Sequence, residues 1–416
     1  MEYGLIGAKL SHSYSRLIHQ LVGGYEYTHL ALPTETDVRT FLEQRAFKAV
    51  NVTIPYKRLV IPLCDEVEPR AAEIGAVNTI VNRGGRLYGY NTDYAGFAYL
   101  ARSHGVDLAG KSVLILGTGG TSKTVTAVCR DAGARSILTA SRTGRGDAIT
   151  YDQIARYPET QIVINTTPAG MYPDNGSCLV DLSVLPRVEA VLDVVYNPFQ
   201  TELLLRARER GIPGYCGFEM LVAQAVYAAE LFTGKQYHDD VIQEVHHTLK
   251  RGISNLSLIG MPGCGKSTLA ASLARKLDKK YVDLDQVIEE TAGIPITEIF
   301  ARQGEDAFRR IEQQAVERVS KESGQVIACG GGVVKTPGNV RLLHQNGPVL
   351  WVRRPVEFLA MTGRPLSTGR DALMRMQAER SPLYDAASDA AIDNTTTLQQ
   401  TVEAAAEAFE HIFDYR

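Results

Sequence analysis

One loop of this sequence combines the residue types needed to hold a nucleotide phosphate. Residues Gly260–Ser267, GMPGCGKS, match the pattern G-x-x-x-x-G-K-[ST] at every fixed position. In such a loop backbone N–H groups surround the phosphates, Lys266 neutralises the β- and γ-phosphate oxygens, and the Ser267 hydroxyl ligates Mg²⁺. The apolar run NLSLI before the loop predicts a strand, and leucines four residues apart after it predict a helix. We therefore expect a site for ATP, or a close relative, formed by Gly263, Cys264, Gly265, Lys266, Ser267 and Thr268.

Charged residues after the loop indicate the kind of molecule that would accept a phosphoryl group. Asp283 and Asp285 end the predicted strand KYVDLD, about one strand after the phosphate loop, and their two carboxylates could have different roles. One carboxylate could therefore reach the Mg²⁺ shell and the other an acceptor hydroxyl. Arg309, Arg380 and the glycine triplet 330–332 follow. Strand-end aspartates and single arginines are often only solvated surface residues, but several arginines beside a phosphate loop favour an anionic acceptor.

A second glycine turn lies in the N-terminal half of the chain. Residues Gly117–Gly120 follow the apolar run KSVLIL and precede a predicted helix, as in dinucleotide-binding turns, although Ser122 replaces the third glycine. The next predicted strand ends in Ser141–Thr143, SRT, where NAD enzymes usually carry an acidic residue. A basic and hydroxylated strand end accommodates a ribose 2′-phosphate, so we expect NADP to be favoured over NAD.

Candidates for proton transfer lie upstream of that turn. Lys57 follows the predicted strand FKAVNVTIP, and Asp93 precedes a predicted helix. A lysine alone is usually a surface residue. A lysine paired with a carboxylate can move a proton to or from a carbonyl oxygen while hydride moves at its carbon. We therefore predict that Lys57 and Asp93 form a catalytic pair.

These residues are distributed over two regions with the patterning of α/β proteins, in which short β-branched strands alternate with helical segments. Before residue 105, the runs YGLIGAKL, YEYTHLAL and FKAVNVTIP predict three further strands. A long helical run is predicted over Phe218–Thr248, and the main boundary between the two halves is predicted at Lys250–Ile253.

The composition argues against several classes of protein. The chain has 416 residues, which suits two or three domains, and a net charge of −3, which indicates no nucleic-acid partner. Its six cysteines have no spacing typical of zinc sites. We see no signal peptide and no apolar stretch of ~20 residues, so we expect a cytoplasmic protein without a membrane partner. The sequence is compatible with a homo-oligomer.

The C-terminal region resembles the shikimate kinase family over essentially all of residues 253–416. The motifs GMPGCGKS, DLD, FRRIE, GGG, GRPL and ERSPLY occur in the family's order. The resemblance implies that Lys266 and Ser267 serve ATP and Mg²⁺, that Asp283 serves the metal, and that Glu312 orients the site. It implies that shikimate is bound by Asp285, Arg309, Gly331, Gly332 and Arg380 and that a lid contributes Arg364 and Arg370 to the ATP site.

The N-terminal region, about residues 2–249, resembles the shikimate dehydrogenase family. The motifs are HSYS, NVTIPYK, AVNT, YNTD, SRT, NTTPAGM, VVYNP and GFEMLVAQ. The resemblance implies that the substrate is bound by Ser13, Ser15, Thr53, Asn78, Asp93, Tyr196 and Gln224. It implies that NADP is held by Gly117, Gly119, Gly120, Ser141, Arg142, Thr143, Thr166, Gly217 and Met220. Quinate-using relatives tend to carry threonine at the position of Ser15, so the resemblance implies that shikimate is preferred over quinate.

The two resemblances imply an α/β chain with three folded parts. We expect residues 1–250 to be a dehydrogenase, with an α/β substrate subdomain at 1–104 and 219–250 and a Rossmann-type NADP subdomain at 105–218. We expect residues 251–416 to be a P-loop kinase domain with a parallel sheet.

The expected activity is that of a bifunctional enzyme of chorismate, and hence aromatic amino acid, biosynthesis. NADPH-dependent reduction of 3-dehydroshikimate would produce shikimate, and ATP- and Mg²⁺-dependent phosphorylation would convert it to shikimate 3-phosphate. Two alternatives are left open. One is a quinate/shikimate dehydrogenase fused to a kinase for another small polyol acid, and the other is a regulatory or scaffolding protein with one inactive half.

Overall fold

The computed structural model describes residues 1–10, 14–359 and 370–414, and these form two compact units. The first unit comprises residues 1–197 and 201–246, and the second comprises residues 198–200 and those from 247 onward. Two predicted site residues, Ser13 and Arg364, lie outside the described residues. No described helix is both long and apolar enough to span a membrane.

The first sheet of the first unit mixes parallel and antiparallel strands in the order β2-β1-β3-β5-β6-β4. Its strands are β1 (Tyr3–Gly7), β2 (Tyr27–Ala31), β3 (Ala49–Val52), β4 (Glu66–Val67), β5 (Thr79–Arg83) and β6 (Arg86–Tyr90). Its helices are α1 (Ser15–Gly23), α2 (Glu35–Gln44), α3 (Pro69–Ile74) and α4 (Thr92–Ser103). The three strands predicted here are confirmed, whereas the antiparallel hairpin β5–β6, turned by two glycines with positive φ, was not predicted.

The second sheet of the first unit is entirely parallel, in the order β12-β11-β10-β7-β8-β9. Its strands are β7 (Ser112–Leu116), β8 (Ser136–Ser141), β9 (Ile149–Thr150), β10 (Ile162–Asn165), β11 (Ala190–Asp193) and β12 (Gly214–Cys216). The helices that follow in the chain are α5 (Gly120–Asp131), α6 (Glu202–Glu209), α7 (Phe218–Thr233) and α8 (Asp239–Ile253). The strand order reverses between β7 and β10, and in such sheets ligands bind at the carboxyl ends of the strands beside this reversal.

The long helical run predicted over Phe218–Thr248 is two helices rather than one. Gly234 has a φ of 71° and its N–H donates to the Glu230 carbonyl, which ends α7 in a left-handed cap that favours glycine. Because α8 continues to Ile253, the segment Lys250–Ile253, expected to be a linker, lies in the last turn of a helix.

The second unit is built on one parallel sheet in the order β14-β15-β13-β16-β17. Its strands are β13 (Leu256–Ile259), β14 (Lys280–Asp283), β15 (Gln325–Ala328), β16 (Val349–Arg353) and β17 (Ala390–Asp393). Its helices are α9 (Lys266–Lys276), α10 (Leu284–Ala292), α11 (Ile296–Ser320), α12 (Pro337–Gln345), α13 (Arg370–Ala387) and α14 (Leu398–Asp414). Every residue of β13 and β15 is buried, as expected for central strands covered on both faces. The predicted α/β class and parallel sheet are confirmed.

Candidate active sites

The phosphate-binding loop joins the central strand of the second unit to the helix that follows it. Gly265, just before α9, has a φ of 94°, and no side chain caps the helix, so its N-terminus can face a ligand. A Cβ at Gly265 would lie 2.7 Å from the side-chain nitrogen of Asn394. That nitrogen donates to the Cys264 carbonyl at 2.7 Å and so supports the loop. The Lys266 ammonium donates at 2.9 Å to the carbonyls of residues 260 and 261. Glycine is required here because the loop is closely approached.

Asp283 and Asp285 do not sit together on a strand, so the strand-end prediction is wrong for Asp285. Asp283 ends β14 and caps α10 by accepting the N–H of Asp285 at 3.0 Å. Asp285 therefore lies in the first turn of a helix. Both carboxylates nevertheless line the same cavity, of about 630 Å³, together with the phosphate loop. The hydroxyl of Tyr281 donates to Oδ2 of Asp283 at 3.0 Å.

Two arginines reach this cavity from different helices. Arg309 on α11 donates to the Glu312 carboxylate at 2.8 Å and to the Gly332 carbonyl at 3.1 Å. Arg380 on α13 donates to the Gly331 carbonyl at 2.9 Å. Glu312 is 1% exposed, and burial raises the pKa of its carboxyl group while Arg309 opposes that shift. This nearly inaccessible partner holds the Arg309 guanidinium at the cavity wall.

The glycine triplet 330–332 brings the parts of this cavity together. A Cβ on the first glycine would lie 2.9 Å from the Asp285 carboxylate, and one on the second 2.7 Å from the Pro262 ring. A Cβ on the third would lie 2.6 Å from the Arg309 guanidinium. Each glycine is therefore closely approached by a different element, and the turn lets the loop, the acid and the arginine converge.

The first unit contains a cleft of about 490 Å³ in which a lysine and a carboxylate are paired. Lys57 lies in the turn after β3, and Asp93 lies in the first turn of α4. Lys57 Nζ is 2.6 Å from Asp93 Oδ2, and the two side chains are 26% and 14% exposed. Asn91 caps α4, and the start of a helix favours a negative charge such as that of Asp93. The pair is thus largely shielded but open to a ligand in the cleft, as proton transfer requires.

Asn78, immediately before β5, is a third polar group of the cleft. Its Oδ1 accepts the backbone N–H of Thr92 at 2.8 Å, and its Nδ2 donates to Oγ1 of the same threonine at 3.1 Å. A backbone N–H can only donate, so this contact determines which end of the amide is oxygen.

The glycine turn after β7 has one crowded position and two open ones. Gly117 has a φ of 106°, and a Cβ there would lie 2.8 Å from the Thr167 side chain. A Cβ at Gly119 or Gly120 would meet nothing within 4 Å. The start of α5 has no side-chain cap. The open space over these two glycines, beside an uncapped helix N-terminus, suits a phosphate group.

Ser122, which replaces the third glycine of the dinucleotide pattern, has its own structural role. Its side chain is 3% exposed and its hydroxyl donates to the Gly117 carbonyl at 2.8 Å. The serine therefore secures the turn from within. On the neighbouring strand, β8 ends at Ser141, whose hydroxyl accepts the Gly144 N–H at 3.1 Å, while Arg142 is exposed.

Comparison with known proteins connects both sites to families. Residues 5–80 match the family model of the shikimate dehydrogenase substrate binding domain. A shikimate dehydrogenase (NADP(+)) of Clostridium perfringens is 34% identical over 265 residues, which cover 60% of this chain and 98% of that relative. The chain belongs to the shikimate dehydrogenase family. Residues 262–412 match the family model of shikimate kinase, so a shikimate kinase domain lies C-terminal to the dehydrogenase.

Two solved structures of dehydrogenases have the same fold as the N-terminal region. The enzyme from Thermus thermophilus, in complex with NADP(H) and shikimate, is 29% identical with a TM-score of 0.54, covering 60% of this chain and 99% of that one. A quinate dehydrogenase from Corynebacterium glutamicum in complex with NAD is 30% identical, also with a TM-score of 0.54, covering 60% and 98%.

Most of the residues predicted for the kinase site line one cavity. They are Gly263, Gly265, Lys266, Ser267, Thr268, Asp283, Asp285, Arg309, Gly331, Gly332 and Arg380. Cys264 is buried and does not line the cavity, and neither does Arg370, an exposed residue at the start of α13.

The residues predicted for the dehydrogenase site fall into two groups. Those that line the Lys57 cleft are Ser15, Thr53, Lys57, Asn78, Asp93, Tyr196, Gly217, Met220 and Gln224. Those at or just beyond the carboxyl ends of β7, β8 and β10 are Gly117, Gly119, Gly120, Ser141, Arg142, Thr143 and Thr166.

Some residues that shape the sites were missed by the sequence reasoning. Tyr384, whose hydroxyl donates to the Gly331 carbonyl at 2.5 Å, belongs to the quoted motif ERSPLY and could have been found from it. The exposed Met171 of the dehydrogenase cleft likewise belongs to the quoted motif NTTPAGM, whereas Asn394 and Tyr281 have no comparable signal. Their roles arise from contacts between segments that the sequence pattern does not connect.

Proposed function

We propose that this chain is a bifunctional enzyme that reduces 3-dehydroshikimate with NADPH and phosphorylates the resulting shikimate with ATP. The observation that carries the proposal is that one chain has two separate cavities with complementary chemistry. One contains a lysine–carboxylate pair beside a dinucleotide-type turn, and the other contains a phosphate loop facing two arginines.

In terms of domains, the proposal assigns residues 1–250 to the dehydrogenase and residues 251–416 to the kinase. Within the dehydrogenase, residues 1–104 and 219–250 would bind the substrate and residues 105–218 would bind NADP. The mixed sheet and the fully parallel sheet of the first unit support this division.

The residues around the β7 turn fit a dinucleotide. Gly119 and Gly120 leave open backbone for the pyrophosphate, and Arg142 and Thr143 at the end of β8 would pair with the 2′-phosphate. NADPH supplies the hydride for the reduction. Met220 lines the substrate cleft and would contact the nicotinamide end of the cofactor.

In the reduction, Lys57 would donate a proton to the carbonyl oxygen as that oxygen gains negative charge. Asp93, at 2.6 Å, holds the ammonium in place, and the neutral amine left after the transfer would take up a new proton from solvent. Thr53, Asn78 and Gln224 would bind ring hydroxyls, Tyr196 would line the ring's binding site, and Ser15 would bind the carboxylate; all five line the cleft.

In the phosphoryl transfer, the chain mainly positions the reactants and neutralises charge. Lys266 would hold the ATP phosphates, and Ser267 and Asp283 offer the oxygen ligands that Mg²⁺ prefers. Asp285 would accept a hydrogen bond from the attacking hydroxyl. Arg309 and Arg380 would bind the substrate carboxylate, since paired guanidinium groups match its geometry.

A coupled assay from 3-dehydroshikimate tests this function. NADPH alone should be oxidised in proportion to shikimate formed, and shikimate 3-phosphate should accumulate only once ATP and Mg²⁺ are added. Turnover of quinate with NAD⁺ faster than of shikimate with NADP⁺ would instead favour the quinate alternative. Loss of either step in the wild-type chain would favour a protein with one inactive half.

A further inference from the structure

A histidine outside the predicted site is held in a fixed position beneath the dehydrogenase cleft. His19 lies on α1 one turn after Ser15 and is 1% exposed. Its ring stacks on Tyr27 with centroids 4.0 Å apart and on Phe232 with centroids 5.4 Å apart. Burial lowers the pKa of His19 to about 3, so the imidazole is neutral near pH 7. The two ring nitrogens are therefore one donor and one acceptor.

The neighbouring amide of Asn51 determines which nitrogen carries the proton. Asn51 Nδ2 is 3.3 Å from the carbonyl oxygen of Asn78 and 3.0 Å from Oγ1 of Thr79. Only the amide nitrogen can favourably face a carbonyl oxygen, so Oδ1 of Asn51 must face the other way. There it meets Nε2 of His19 at 3.1 Å, and this nitrogen must donate.

Two tyrosines complete the arrangement around the imidazole. The Tyr27 hydroxyl also donates to Asn51 Oδ1, at 2.7 Å. The remaining ring nitrogen, Nδ1 of His19, accepts from the Tyr25 hydroxyl at 2.6 Å. The backbone carbonyl of Asn78 and the neutral state of the imidazole together account for the direction of these hydrogen bonds.

The same hydrogen bonds continue into the cleft. Thr79 Oγ1 accepts from Asn51 and donates to Oδ1 of Asn78 at 3.0 Å. That oxygen also accepts the Thr92 N–H, one residue before Asp93. With one Nδ2 proton given to Thr92, Asn78 keeps a second, for which the described residues supply no acceptor. Because Asn78 lines the cleft, this second N–H is available to a ligand there.

We propose that His19 is a positioning residue of the dehydrogenase, which acts through Asn51 and Thr79 to aim the Asn78 amide at the substrate. This inference rests on the proposed function, because the ligand that the Asn78 amide would meet is a ring hydroxyl of shikimate. His19 also anchors α1, which carries Ser15, to the end of β3, from which the chain leads to Thr53 and Lys57. This role requires the hydrogen bond that His19 Nε2 donates to Asn51 and does not depend on the volume of the ring.

Two substitutions of His19 by residues of similar size distinguish the role of its hydrogen-bond donor from the role of its side-chain volume. Glutamine in His19→Gln can place an amide N–H toward Asn51 Oδ1, whereas methionine in His19→Met fills a similar volume without a donor. In the full-length chain, His19→Met should raise the KM for shikimate in NADP⁺ reduction about tenfold, the effect of losing one or two hydrogen bonds at a buried acceptor. The KM for NADP⁺ should not change, and His19→Gln should recover most of the loss.

A packing role would give a different pattern, because the apolar methionine would then be tolerated at least as well as glutamine. Equal KM values for shikimate in the two variants, or a better His19→Met, would overturn the inference. Thr79→Val breaks the same path without touching His19 and should show the same rise, so the inference is tested even if His19→Met fails to fold. A wild-type chain without shikimate-dependent NADP⁺ reduction would refute the proposed function instead.

Discussion

Replacement of Lys57 by methionine tests whether this lysine transfers a proton or only holds its partner. Methionine keeps most of the aliphatic stem but removes the ammonium that lies 2.6 Å from Asp93. The pair is partly exposed, so holding Asp93 in place contributes on the order of 1 kcal/mol, which corresponds to roughly fivefold in rate if all of it is lost from the transition state. A general acid contributes about 10²- to 10⁴-fold, or roughly 3–5 kcal/mol of the activation barrier. The two roles therefore differ by more than any error of measurement.

The assay is NADPH oxidation with saturating 3-dehydroshikimate on the full-length chain. Lys57→Met should lower kcat at least a hundredfold, while phosphorylation of shikimate by the same sample is unchanged and reports the amount of folded kinase. Lys9 is an exposed lysine that lines the same cleft, so Lys9→Met is a matched control and should keep kcat within about threefold, as expected for a solvated charge. A Lys57→Met variant within tenfold of wild type would refute the role of proton donor.

Three further predictions concern the kinase cavity and the buried histidine. Lys266→Ala should abolish ATP-dependent phosphorylation and spare dehydrogenation; joint loss of both rates would contradict two independent sites. Gly332→Ala should raise the kinase KM for shikimate about tenfold with little change for ATP, because its Cβ would displace the Arg309 guanidinium; an unchanged KM would contradict the arginine's role. Since burial lowers the pKa of His19 to about 3, the unfolded chain binds that proton first, and the stability of the wild type relative to His19→Gln should fall as the pH drops below about 6.5, by about 1.4 kcal/mol per pH unit; burial raises the pKa of Asp193 to about 7, which acts in the opposite direction but equally in both chains. Urea midpoints for dehydrogenase inactivation, measured for both chains between pH 7 and 5, should show this slope in their difference, and a constant difference would contradict it.

Local patterns predicted most of the strands and loops that carry the chemistry. The phosphate loop, the β7 turn and the GGG turn each have a sequence signature whose physical basis is local: backbone N–H groups need small residues nearby. The structure adds why specific glycines are needed, such as Gly332 against Arg309. These contacts join segments far apart in the chain, so spacing alone could not predict them.

The sequence-based predictions were wrong where a helix cap begins or ends an element although the hydrophobic pattern continues. The carboxylate of Asp283 caps α10, which ends β14 and places Asp285 in a helix. The left-handed cap at Gly234 divides the predicted helical run. Hydrophobic periodicity continues through both points, whereas the backbone conformation does not.

The two proposed sites recognise the same small acid with different electrostatics, and the chemistry of each step explains why. In the kinase cavity the substrate carboxylate must approach a triphosphate, so Arg309 and Arg380 are needed to offset like-charge repulsion. In the dehydrogenase cleft, Lys57 is neutralised by Asp93, and groups such as Asn78 offer hydrogen bonds without net charge. Binding by an uncharged hydrogen-bond donor depends more strictly on direction than binding by two cations. An amide that points away from the ligand loses its hydrogen bond, whereas a cation that points away keeps much of its electrostatic attraction. A buried network that sets the direction of one amide is therefore expected in the dehydrogenase, where His19 and Asn51 provide it.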